Sequence, residues 1–207
     1  MTKLFYSPGS CALGIHVLLE EVGQPYELAK VDLMARQQYE PAFVAVNPKS
    51  KVPALVRDDG SVLTEWPAIA TWLALTNPGR KLLPTDPEAL VRTLESVDYV
   101  VATLHMQGFT RVWRPDHFTP TEADYPVVKK KGHEIVEKGL AAFEEKLEGR
   151  DYLGGADMSI ADAALFYFEF WIDSRLKQAM PKNLAAHYQR MRARPAVAKV
   201  LKDEGFA

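Results

Sequence analysis

The hydrophobic pattern of this chain changes character once, at the Pro-rich stretch TNPGRKLLPTDPEA over residues 76–89. Before it, apolar runs of strand length alternate with runs of helical period. After it, every patterned segment repeats at three- and four-residue steps. We therefore read an α/β domain over residues 1–78, a linker over 79–87 and an all-helical domain over 88–207. With 47% hydrophobic residues in a chain of 207, there is enough apolar content for a true core.

In the first part, KLFY predicts a buried strand. A helix follows from Cys11, with apolar residues at Leu13, Val17, Leu18 and Val22 and a stop at Gly23. YELAKVDL predicts a second strand, and EPAFVAVNP a turn or two of helix. VPALVRDDGSVLTE reads as a hairpin turning at Asp59-Gly60. EWPAIATWLAL predicts a helix with Pro67 in its first turn, where a missing N–H does no harm. The order is β-α-β-α-β-β-α.

In the second part, Leu90, Leu94, Val97, Val101, Leu104 and Gly108 form a narrow stripe on one predicted helix. A second long helix runs from Tyr125 to Leu147, and Gly132 and Gly139 mark where a neighbour can approach closely. MSIADAALFYFEFWI is apolar on nearly all sides and is predicted to be central. Ser159 and Asp162 form a capping-box pattern at its start. Two short helices close the chain.

Charge and cysteine content narrow the function classes. A net charge of −2 without charge runs leaves no electrostatic footprint for nucleic acid. A single cysteine forms no internal disulfide, which suits a reducing compartment. The opening MTKLFYSPGS lacks the layout of a signal peptide, and no apolar run approaches the roughly 20 residues of a membrane helix. We expect a cytoplasmic globular protein that binds neither nucleic acid nor membrane. The five histidines show no metal-ligand spacing, so no metal site is expected.

The candidate chemistry begins at Cys11. A thiol at a helix N-terminus lies at the positive end of the macrodipole beside unpaired N–H groups, both of which favour thiolate. Such a cysteine is a nucleophile, or else a small buried residue. Ser10 is either a donor to a bound anion or a helix N-cap. Val52-Pro53 precedes a strand, where a cis bond would offer the Val52 main chain to an extended ligand. At the next helix start, main-chain N–H groups can hold a carboxylate, and Glu65 either holds an ammonium or simply favours the terminus. Asp98 and His105 stand seven residues apart on one predicted helix, which places them on one side, about 10 Å apart.

Taken in order, VNPKSKVPAL, LTEWPAI and SIADAALF resemble the cytosolic glutathione transferase family over essentially the whole chain. SPGSC, His16-Val17, Leu104-His105 and RPAVAKVLKDEG look more specifically like its bacterial beta class. The resemblance implies a thioredoxin-like N-terminal domain followed by a helical bundle, glutathione as co-substrate, and a homodimer. It places Val52 and a cis Pro53 against the cysteinyl backbone of glutathione, Glu65 and the Trp66 backbone at the γ-glutamyl end, and Arg36 near the glycyl carboxylate. Cys11 would face the glutathione sulfur, with Ser10 as a second thiolate stabiliser. His105 would line the cleft, and Asp98 would reach the partner's glutathione. Phe109, Trp113 and Phe166 would line the electrophile site.

Two residues depart from the beta-class pattern. Trp66, followed by Pro67, stands where a small residue is usual, and a bulky indole there would narrow the γ-glutamyl pocket or fold outward onto a partner. Met106 stands where a basic residue is common. The leading expectation is a transferase that conjugates glutathione to hydrophobic electrophiles. The alternatives are a glutathione-dependent thiol-disulfide oxidoreductase or peroxidase acting through Cys11, and a non-catalytic binding protein of the same fold.

Overall fold

Strand β1 (Thr2–Tyr6) is the hinge of the amino-terminal sheet. It runs parallel to β2 (Tyr26–Lys30), with Leu4 opposite Leu28, and antiparallel to β3 (Ala54–Val56), with Leu4 opposite Leu55. β4 (Val62–Thr64) pairs antiparallel with β3, giving the order β2-β1-β3-β4. A parallel pair needs a crossover, and α1 (Ala12–Val22) supplies it. The computed structural model describes residues 1–206. The chain forms two compact units. One is Met1–Leu83 together with the carboxy-terminal segment from Arg190; the other is Pro84–Gln189.

In the first unit the predicted stripe of α1 is buried at Leu13, Val17, Leu18 and Val22, and so are Ala12, Ile15 and His16. Helices α3 (Trp66–Thr76) and α9 (Pro195–Asp203) cover it from two sides. Gly23 ends α1 at φ 74°, its N–H returning to the Leu19 carbonyl at 3.0 Å. α2 (Pro41–Val44) is a single turn. The hairpin closes through three residues, because Arg57 N–H bonds the Ser61 carbonyl at 2.8 Å. Gly60 alone carries the positive φ expected of Asp59-Gly60, at 82°. The carboxy-terminal segment, which the sequence pattern groups with the helices after the linker, is tied to α1 by Arg194. Its guanidinium meets both Glu21 carboxylate oxygens, at 2.6 and 2.9 Å.

In the second unit α4 (Pro87–Asp98) starts with the Asp86 carboxylate accepting the Ala89 N–H at 2.9 Å. It continues into a π-helical segment, Tyr99–Phe109, and then α5 (Thr110–Trp113). The buried face of this segment keeps the predicted Leu104 and Gly108. Val100 is buried in place of the predicted Val101, and Phe109 joins Gly108. α6 (Tyr125–Lys146) approaches this segment at its glycines. A Cβ at Gly132 would lie 2.8 Å from the Gly108 carbonyl oxygen, and one at Gly139 would lie 2.5 Å from Leu104 Cδ2.

Every residue of α7 (Ile160–Trp171) is buried, as its all-round apolar sequence predicts. The capping box is present. Ser159 N–H donates to Asp162 Oδ2 at 2.8 Å, and Ser159 Oγ accepts from Ala161 N–H at 3.2 Å. The other Asp162 oxygen lies 3.2 Å from Nε2 of His187, on α8 (Lys182–Arg192), and Nδ1 of that ring lies 2.8 Å from Glu169. All three side chains are fully buried. Burial works against the His187 cation, but Glu169 and Asp162 outweigh it and hold its pKa up at about 10. Burial, with the Asp162 charge beside it, pushes Glu169 upward against the pull of His187. Among the described residues no helix is long and apolar enough to cross a membrane.

Candidate functional site

The Ser7-Pro8-Gly9-Ser10 turn leaves β1 and delivers Cys11 to the start of α1, nearly buried. Its thiol points at the Val52 carbonyl, 3.7 Å away, immediately before the cis bond to Pro53. Ser10 Oγ accepts the Ala12 N–H at 3.2 Å, from one residue before Cys11, the N-cap of α1. On the other side of Cys11 lies the start of α3. Glu65 adopts a positive φ of 71°, unusual for a side-chain-bearing residue, and its carboxylate meets Lys49 Nζ at 2.7 Å in solvent.

Trp66 corrects one expectation. Its indole does not turn outward: it is 3% exposed, folded inward, and donates Nε1–H to the Cys11 carbonyl at 3.0 Å. A bicyclic apolar ring with one donor is most stable where the ring is buried and the N–H has an acceptor, and the first turn of α1 supplies both. Cys11, Val52, Glu65 and Trp66 thus form one contiguous group in the first unit. Arg36 lies on an exposed turn, at φ 61°, with its guanidinium over the Tyr39 ring at 5.2 Å.

A second network supports the Cys11 turn from behind. Gly9 N–H donates to Glu204 Oε2 at 2.7 Å, and Glu204 Oε1 lies 2.9 Å from His16 Nδ1. Nε2 of His16 reaches Tyr26 Oη at 2.9 Å, and Tyr26 donates to Glu20. Burial and the Glu20 charge hold the Tyr26 phenol above its usual range. His16, Glu20 and Asp203 bring three metal-type ligand atoms within 4.8 Å of one another, a grouping that sequence spacing does not reveal. The Lys199 ammonium already bridges the two carboxylates, at 2.7 Å from each.

In the second unit, His105 is half-buried with its ring edge-on to Trp171 at 4.8 Å. Phe109 stacks on Trp113 at 4.6 Å and also meets Trp171. Phe166 does not join them; it is fully buried and stacks on Tyr188 at 5.7 Å. Asp98 is exposed at the end of α4. His105 lies on the π-helical segment that follows it.

Sequence reasoning missed Lys49, Trp171 and the Gly9–Glu204 contact. Lys49 had a signal in its proximity to Val52-Pro53. Trp171 was hidden in an apolar run, and nothing local marks Glu204.

The amino-terminal family model for glutathione S-transferases matches residues 8–76, and the carboxy-terminal one matches residues 126–198. Glutathione S-transferase GstA of Escherichia coli O157:H7 is 40% identical over 207 residues, 99% of each chain. The chain belongs to the glutathione S-transferase family. Among solved structures, a sphingomonad glutathione S-transferase complexed with glutathione is 35% identical, with a TM-score of 0.83 over 99% of this chain and 100% of that one. The bacterial beta-class glutathione S-transferase of Sphingomonas chungbukensis is 32% identical, with a TM-score of 0.85 over the same shares. The likeness to the beta class inferred from SPGSC and RPAVAKVLKDEG is thus matched by a beta-class structure.

Proposed function

We propose that this protein is a glutathione transferase: it binds glutathione on its first unit and directs the glutathione thiolate onto hydrophobic electrophiles. The observation that carries this is the position of Cys11, its thiol 3.7 Å from the Val52 carbonyl at the start of a helix. In our reading the Val52 main chain pairs with the cysteinyl unit of glutathione. Glu65 holds the γ-glutamyl ammonium and the Trp66 N–H its carboxylate. Arg36 serves the glycyl end. The glutathione sulfur then arrives beside Cys11 at the positive end of α1. Glutathione is mostly thiol at neutral pH, so a site that favours its anion raises the reactive fraction. Ser10 accepts the Ala12 N–H here and is a second donor to sulfur in this proposal.

On the second unit, the half-buried His105 and Trp113 form the surface we assign to the electrophile, with the buried Phe109 and Trp171 packed against them. We assign Phe166 to the core behind it. We further propose a cytoplasmic homodimer in detoxification, with Asp98 available to the partner's glutathione, and no metal in the reaction. The thioltransferase reading keeps a place, because a cysteine beside a bound thiol also permits exchange through a mixed disulfide. Titration calorimetry with glutathione, followed by an aryl-halide conjugation assay, tests the proposal. Saturable binding with turnover supports it; no heat at millimolar glutathione refutes it.

A further inference from the structure

The side chain and the main chain of Trp66 serve different ends of one site. Its main chain begins α3, at the terminus assigned above to the γ-glutamyl group. Its indole passes inward and holds the carbonyl of Cys11 at 3.0 Å. That carbonyl belongs to the residue that opens α1, and it also accepts the Gly14 N–H at 3.2 Å. Fixing it fixes the peptide plane from which the thiol projects. The ring is 3% exposed and packed among the buried residues at the junction of α1 and α3, so it cannot swing away without opening that core. A flexible side chain would tie the two helix starts together loosely; a buried indole ties them rigidly.

We infer that Trp66 is a positioning residue, a strut that sets the Cys11 thiol relative to the start of α3 through its indole N–H. This deepens the glutathione reading and rests on it for its consequence in turnover, but the strut itself concerns Cys11 and can be tested without glutathione. A bulky residue at this position replaces the freedom of a small residue with a fixed contact.

The test is alkylation of Cys11 by iodoacetamide across pH, comparing wild type with Trp66→Phe and with Trp66→3-benzothienylalanine, which keeps the bicyclic shape and lacks only the N–H. The strut predicts that both variants alkylate with a shifted pH profile and a rate changed on the order of three- to tenfold at neutral pH, as an ordinary hydrogen bond can sustain. Glutathione affinity is expected to change less than the rate of disulfide exchange through Cys11, since the main-chain contact survives. If the benzothienyl variant has a wild-type melting temperature and a wild-type alkylation profile, the strut is overturned, whatever the protein does with glutathione. If wild type binds no glutathione but the profile still shifts, the strut stands and the glutathione reading falls.

Discussion

Gly9 and Glu204 lie 195 residues apart in sequence and meet at 2.7 Å, the glycine N–H donating to the buried carboxylate. The contact ties the turn that carries Cys11 to the last helix of the chain. Removing the carboxylate takes one buried partner from both the Gly9 N–H and the His16 ring. At about 1–3 kcal/mol each, Glu204→Ala is expected to lower stability by on the order of 3 kcal/mol. Urea unfolding checks this, and a loss under about 1 kcal/mol contradicts it.

The His187 triad predicts a pH dependence. Its folded pKa of about 10 lies above the ordinary 6.5, so the folded chain holds this proton more tightly than the unfolded chain. The stability it contributes is fully present below pH 6.5 and is lost as pH rises towards 10. Unfolding free energies measured between pH 6.5 and 10 are expected to fall in wild type. A profile that stays flat over that window contradicts the raised His187 pKa.

The glycines of α6 predict an unequal pair. Alanine gains up to about 1 kcal/mol over glycine in a helix. At Gly132 the new methyl would meet a main-chain oxygen at 2.8 Å, which cannot yield, so Gly132→Ala is expected to destabilise by about 1–3 kcal/mol. At Gly139 the obstacle is the Leu104 side chain, which can change rotamer, so the loss is smaller. Thermal melts of the two variants settle the order.

Much of this was legible in the sequence, and what was not has physical causes. The strand and helix order of the first unit follows from short-range signals such as Gly23, Gly60 and the apolar spacings. Ser159 and Asp162 announce their cap three residues apart, and Gly132 and Gly139 announce a close approach. The π segment is different. No residue between Tyr99 and Phe109 marks the π turn, and Val100 is buried there where the sequence pattern favoured Val101. Trp66 and Phe166 show that residue type does not state direction; burial turned one indole inward and placed one ring in the core. Contacts such as Gly9–Glu204 depend on tertiary proximity alone.

Glu65 separates function from stability. Its ion pair with Lys49 is exposed on both sides and contributes little to folding. As the proposed holder of the γ-glutamyl ammonium it contributes a charged hydrogen bond of about 1.5–3 kcal/mol. Glu65→Gln is therefore expected to weaken glutathione binding about tenfold or more, read by calorimetry, with the melting temperature nearly unchanged. An unchanged affinity removes Glu65 from the site.

Cys11→Ala distinguishes the two chemistries. We expect aryl-halide conjugation to survive largely intact and disulfide exchange to vanish. If both activities disappear, the cysteine itself stabilises the glutathione thiolate, and Ser10 serves only to accept the Ala12 N–H.

The central claim is that the sulfur of bound glutathione meets the Cys11 thiol. Reaction with oxidised glutathione, followed by intact-protein mass spectrometry over a range of concentrations, tests it most directly. The account predicts one glutathione attached at Cys11, at a rate that saturates with concentration and is suppressed by S-methylglutathione. A rate that rises linearly without protection, or no adduct at all, would contradict it.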